Sequence, residues 1–300
     1  MSIHINPNLQ ASSKLITTLK IRNIGLIRID TIFLKISLLL LKEKNDMDFI
    51  ESMQKDFADW KKSGTCNQAK NLNDKIGEEY FDTATPHYFV GNPDSDFVLV
   101  HLNPKRNKTA WKQSCNYSIF NEYFEFHKEF GKRVYGKKSD RKHKSPFDRK
   151  QIRFIKPFGV IDFTSDDEYK NLENVIDQKY QLELIPYGSP SFDYHTVYPT
   201  FLESFIKNVL NEIARTERKY VIFCGKVFKQ LLIPYIGKQE KHSFKLKKKE
   251  GGETKMNYEI INIEINTGET MFKAVIAPHY AIQGAPIEAY AEQIVKLYSK

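Results

Sequence analysis

The chain has 300 residues, 41% hydrophobic and 28% charged, which describes a soluble globular protein with length for one large domain or two small ones. Its three cysteines, Cys66, Cys115 and Cys224, are widely spaced; this argues against a disulfide framework or a cysteine-built metal centre and makes a reducing cytoplasm the default. The net charge of +9, with a pI near 9.1, favours a polyanionic partner, although a surface excess of lysine gives the same balance.

Residues 1–46 differ from the rest. The segment Ile24–Leu41 is rich in Ile and Leu, but Arg28, Asp30 and Lys35 interrupt it, and its apolar run is too short to span a bilayer. Residues 1–46 read either as an upstream extension, with Met47 the natural start, or as an appended helix or strand. Residues 47–300 read as a single α/β domain.

Asn45-Asp46 can cap a helix in which Phe49, Ile50, Met53, Phe57 and Trp60 recur at helical spacing up to Gly64. Residues 65–85 are mixed and polar. After the short apolar run Tyr88-Phe89-Val90 and the turn chemistry of 91–96 comes Phe97-Val98-Leu99-Val100-His101-Leu102, with the length and flanks of a buried parallel strand, ending in Asn103-Pro104. A long crossover carries a helix over Tyr117–Phe130 and then the most basic stretch of the chain, 132–156. That stretch is read equally as solvated surface and as a phosphate-tracking loop.

Tyr180–Pro186 is a second strand, leading into the loop Tyr187–Phe192. A helix follows from Thr200, then a third strand over Lys219–Cys224 and a short helix opened by Gly225. Residues 238–255 form a second basic loop. Tyr258–Ile265 is a strand, Asn266–Glu269 a hairpin turn and Phe272–Ala277 the fourth main strand. A helix begins at Pro286. This order predicts a three-layer α/β/α fold around a mainly parallel four-stranded central sheet.

There is no G-x-x-x-x-G-K-[ST], no G-x-G-x-x-G and no G-x-S-x-G, so nucleotide-triphosphate binding, dinucleotide binding and serine hydrolysis lose their usual support. The histidines are scattered; no metal site and no cofactor is implied. What remains is a set of strand-end loops: Asn103-Pro104, Tyr187–Phe192 and Pro278–Pro286. In open α/β sheets such loops build sites.

These loops resemble, over roughly residues 80–300, the motifs of the uracil-DNA glycosylase superfamily. Members carry a first motif, often G-x-N-P-G, at the end of the first sheet strand and a second, H-P-S, after the last. Here His101-Leu102-Asn103-Pro104-Lys105 and Pro278-His279-Tyr280 stand in those places, and the L-N-P form is similar to a divergent bacterial branch. The chain departs from the pattern where His101 and Lys105 replace glycines, where Pro-Ser is missing after His279, and where the second-strand Asn that reads uracil has no clear match.

The resemblance implies a DNA glycosylase that hydrolyses the N-glycosidic bond of a flipped-out base and leaves an abasic site. The base is uracil-like or modified, a phage hypermodified cytosine being one candidate, which would make the role antiviral. It implies Asn103 and His279 as catalytic residues, the first orienting water and the second donating a hydrogen bond to the departing base. His101, Leu102, Pro104, Tyr187, Ser189, Phe192 and Tyr280 would contact the base. Lys105, Arg106, Lys137, Lys138, Arg141 and Lys142 would hold DNA phosphates, and Ile282 and Gln283 would wedge the duplex. The partner is then DNA, with no membrane and a monomeric protein. Two alternatives stand beside it: a non-catalytic nucleic-acid-binding protein of the same fold, and a nucleoside or nucleotide hydrolase.

Overall fold

The computed structural model describes residues 48–84, 86–105, 117–136, 146–161, 163, 168–193, 195–246, 251–255, 257–281 and 286–298. Met47–Lys300 forms one compact unit. Residues 1–46, Arg106, Lys137, Lys138, Arg141, Lys142, Ile282 and Gln283 lie outside the described residues.

Helix α1 (Phe49–Ser63) starts at a capping box. The Asp48 side chain accepts from the Glu51 N–H, Glu51 accepts from the Asp48 N–H, and Gly64 closes the helix at φ 73°. Helix α2 (Asn67–Ile76) follows within a segment whose polarity concealed it; its Ala69 and Leu72 are buried, while most of its surface is Asn, Gln, Lys and Asp. Strands β1 (Phe89–Gly91) and β2 (Phe97–His101) come next, and both are buried throughout. The crossover contains α3 (Phe120–Gly136), α4 (Pro146–Ile155) and α5 (Glu168–Gln178). Strand β3 (Tyr180–Glu183), helix α6 (Glu203–Ala214), strand β4 (Tyr220–Cys224) and the short α7 (Phe228–Leu231) lead to β5 (Ile236–Phe244), β6 (Tyr258–Asn266), β7 (Met271–Ala277) and α8 (Ile287–Tyr298).

The sheet has seven strands in the order β1-β3-β2-β4-β7-β6-β5. The inner four, β3-β2-β4-β7, are parallel. β1 joins one edge antiparallel, and β6 and β5 extend the other antiparallel. The parallel core is thus the expected four-stranded one, but the sheet is wider than expected. β5 was hidden because Lys238–Phe244 is an edge strand with an exposed, charged run of side chains, a composition that also suits a loop. The expected basic loop at 238–255 is therefore a strand over its first third. The expected basic loop at 132–156 likewise contains the end of α3 and all of α4. The hairpin turn at Asn266–Glu269 joins β6 to β7, with Gly268 at φ 91°.

Side-chain alternation assigns the two faces. Val98 and Val100 join Val221, Phe223 and Ile276 in a core under α1, α2, α3 and α6. Phe97 and Leu99 join Ile222, Val275 and Ala277 in a second core under α4, α5 and α8. Helices thus cover both faces of the sheet. The chain steps from β2 to β3 on one side and returns to β4 on the other. The topological switch therefore lies at the β2/β4 pair, with β7 one strand beyond. Among the described residues, no helix is long and apolar enough to cross a membrane.

Candidate active site at the carboxyl edge of the sheet

The loops after β2 and β3 are zipped together beyond the last strand residues. His101 O accepts from the Leu184 N–H (2.8 Å), Leu102 O from Ile185 (2.9 Å) and Pro104 O from Ser189 (3.2 Å). The pairing extends to a parallel bridge between Lys105 and Ser189. This zipper brings Asn103 against the β3 loop. The Asn103 Nδ2 donates to Ser189 Oγ (2.8 Å), to Tyr187 O (3.2 Å) and to Pro104 O (3.3 Å). Ser189 Oγ in turn donates a hydrogen bond to Ser191 O at 2.8 Å. With the amino end of the amide held by acceptors, its carbonyl Oδ1 is the end left to act as an acceptor.

The loop after β7 presents His279. Its Nδ1 accepts the Ala281 N–H at 3.0 Å, and the Lys150 ammonium donates to the Ala281 carbonyl at 2.7 Å. In a neutral ring whose Nδ1 accepts, the proton sits on Nε2, which is then a donor. Burial, followed by the nearby Lys150 charge, pushes the His279 pKa down to about 4, so the ring is neutral at physiological pH. β2 and β7 are two ladder spacings apart, roughly 10 Å. His101 fills part of that gap: its ring lies 5.1 Å from His279 and 5.7 Å from Phe147.

Behind these groups lies a buried polar network on the α4/α8 face. The Tyr280 hydroxyl lies 3.2 Å from His101 Nε2 and accepts from Gln151 Nε2 at 2.8 Å. Gln151 Nε2 also donates to Gln181 Oε1 (2.8 Å), and Gln181 Nε2 donates to Glu183 Oε1 (3.0 Å). The Lys179 ammonium donates to Gln151 Oε1 (2.5 Å) and Gln181 Oε1 (2.9 Å). Glu183 Oε1 stands 3.7 Å from His101 Nδ1. Burial drives the His101 pKa well down, with His279 and Lys179 adding to it; it also raises Glu183 to about 8 and lowers Lys179 to about 8.

Of the residues expected to contact a base, Leu102 and Pro104 are half-buried at the sheet edge, Phe192 is half-buried in the β3 loop and Ser189 is buried; Asn103, expected to be catalytic, is half-buried, and Lys105, expected to hold a phosphate, is exposed. Tyr187 is a correction. Its ring is fully buried on the opposite face, at a right angle to Phe205, with its hydroxyl on Asp56 Oδ2 at 2.5 Å. It serves the site through its backbone carbonyl, because alternation after β3 turns its side chain into the helical layer. Tyr280 is a second correction. It is 1% exposed, stacks on Phe154 at 4.8 Å and supports His101 from behind. His101, 5% exposed, likewise stands behind the loop rather than lining open space. Two cations of the basic stretch are structural: Lys150 holds the His279 loop, and Arg153 pairs with Glu288 on α8, Nη2 to Oε2 at 2.6 Å.

Gln151, Phe147, Lys179, Gln181 and Glu183 were not anticipated as site residues. The last three carry a readable signal: polar residues at every second position of a strand whose neighbours are all buried. Among the described residues, no cluster of His, Cys, Asp and Glu could hold a metal ion. No family model, no curated protein and no solved structure matches this chain.

Proposed function

We propose that the chain is a DNA glycosylase that hydrolyses the N-glycosidic bond of a uracil-like or modified base extruded from DNA. One observation carries this reading. At the carboxyl edge of the parallel core, one loop presents an amide anchored by its nitrogen and another presents a neutral imidazole anchored by Nδ1. The first offers an acceptor and the second a donor. Such a pair meets the two demands of breaking an N-glycosidic bond. Positive charge builds on the sugar and must be met by water, while the bond's electron pair departs with the base.

Asn103 Oδ1 accepts a hydrogen bond from the water that attacks the anomeric carbon. An amide does not take the proton, so its contribution is orientation. His279 Nε2–H donates to the base as it gains charge. A neutral donor suits this role because its pKa is far below the working pH, and it stays protonated at Nε2 throughout. The net charge of +9 favours the phosphate backbone and makes binding fall as salt rises.

The test is an abasic-site assay on DNAs that each carry one candidate base, including uracil and glucosylated hydroxymethylcytosine, with free nucleosides in parallel. Release from at least one DNA, lost in Asn103→Ala with DNA affinity retained, is expected. Binding without release from any DNA would favour the non-catalytic alternative, and release from nucleosides alone would favour a nucleoside hydrolase.

A further inference from the structure

Lys179 is 3% exposed, and among the described residues no carboxylate lies within ion-pairing distance of its ammonium. Its partners are two amide carbonyls, Gln151 Oε1 and Gln181 Oε1. Burying an ammonium against neutral groups is costly, and a methionine of similar length would fill the space without that cost. The ammonium is also not isolated from the site. The links leading away from it donate in one sense once the His101 tautomer is set by its neighbours. Lys179 donates to Gln151 and Gln151 to the Tyr280 hydroxyl; with the imidazole proton on Nδ1, the nitrogen that faces Glu183 at 3.7 Å, Tyr280 in turn donates to His101 Nε2, and a second branch runs from Lys179 through Gln181 to Glu183. A chain of hydrogen bonds polarised one way carries the influence of its charged end toward the other. That other end is His101, whose ring touches His279.

We propose that Lys179 is a positioning residue for base release: its buried charge, relayed through Gln151 and Tyr280, orients His101 and makes the carboxyl edge favourable to the negative charge that forms on the departing base. This rests on the glycosylase reading for the reaction, but its electrostatic part is independent of it. The groups facing the ammonium are Asp148 from α4, Glu183 from β3 and Cys224 from β4, with His101 and His87 also within its field. Burial holds Lys179 down to about 8, so its charge is present at neutral pH and lost above that.

The experiment compares the full-length wild type with Lys179→Met and Lys179→Gln. Two quantities are read: single-turnover release from a uracil-bearing oligonucleotide across pH, and the titration of His101 by NMR. Gln keeps a donor for the two carbonyls but not the charge. Both variants should lose about ten-fold or more in release rate at pH 7 with oligonucleotide affinity little changed. The wild-type and variant rates should converge above about pH 9, where the wild-type ammonium is neutral. His101 should titrate at higher pH in both variants. Wild-type release by the Gln variant would overturn the proposal, as would variant and wild-type rates that run parallel at all pH values. If the wild type releases no uracil, the other DNAs of the panel are used; if it releases no base at all, the glycosylase reading fails. The charge inference is then judged by His101 alone, and an unshifted His101 titration in both variants overturns it.

Discussion

Asp56 offers a test of how the core supports the β3 loop. It is fully buried on α1, where Oδ2 accepts from the hydroxyls of Tyr187 (2.5 Å) and Tyr88 (2.7 Å) and Oδ1 accepts from Gln68 Nε2 (3.2 Å). Burial is the largest influence on it and raises its pKa from 3.8 to about 6, against the lowering effect of those donors. A carboxyl whose folded pKa lies above its unfolded value stabilises the fold most at low pH; that stability is lost as pH rises through the folded pKa. The shift corresponds to about 3 kcal/mol over the whole titration, of which about four-fifths falls between pH 4 and pH 8. Asp56→Asn removes the charge and keeps an acceptor for both tyrosines. It turns its amide nitrogen toward Gln68, which must flip and give up its 3.3 Å bond to Ser52 O, a loss of about 1 kcal/mol. The variant should therefore be more stable than wild type by about 2 kcal/mol at pH 8 and slightly less stable at pH 4. Urea unfolding at both pH values measures the difference. A variant that is destabilised at pH 8, or a difference that does not change with pH, would refute the reasoning.

Gly91 stands at φ 101°, and a Cβ there would lie 2.2 Å from Lys179 O and 2.7 Å from Ile176 O. Gly91→Ala should cost about 3 kcal/mol or more by prying β1 from the sheet, and an unchanged melting temperature would contradict that contact. Ser189→Ala removes the nearest acceptor of the Asn103 amide and should slow base release about ten-fold with DNA affinity unchanged; release at the wild-type rate would show that the anchor is dispensable. His127 is fully buried, bonds Tyr123 O through Nδ1 at 2.8 Å and has its pKa lowered from 6.5 to about 4 by burial. Its contribution is intact above the unfolded value and lost as pH falls toward 4. His127→Phe should therefore gain about 2–3 kcal/mol relative to wild type between pH 7 and 4.5, read by urea unfolding; a constant difference would contradict this.

The parallel core was legible because its four strands are short apolar runs bounded by turn residues, and periodicity suffices for those. β5 was not legible, since an edge strand needs no apolar face and its lysines read as loop. α2 was hidden for a related reason: only a narrow stripe, Ala69 and Leu72, is buried. At the site, the strand-end rule placed Asn103 and His279 at the same edge of the sheet. It could not tell a ring facing a crevice from one buried behind it, which is why Tyr187 and Tyr280 were assigned to a base. Their hydroxyls instead bond to Asp56 and Gln151, partners more than a hundred residues away in sequence. The Lys179–Gln181–Glu183 alternation was visible in the chain, but its meaning depended on α4 delivering Gln151 to the same face.

The central claim is that Asn103 and His279 act on one bond. The direct measurement is a double-mutant cycle of single-turnover base release with Asn103→Ala, His279→Ala and the combined variant, on whichever DNA the wild type cleaves. Each single variant should lose about a hundred-fold or more, and the combined loss should fall short of the product of the two, because both serve the same transition state. Wild-type release by both single variants would contradict the account.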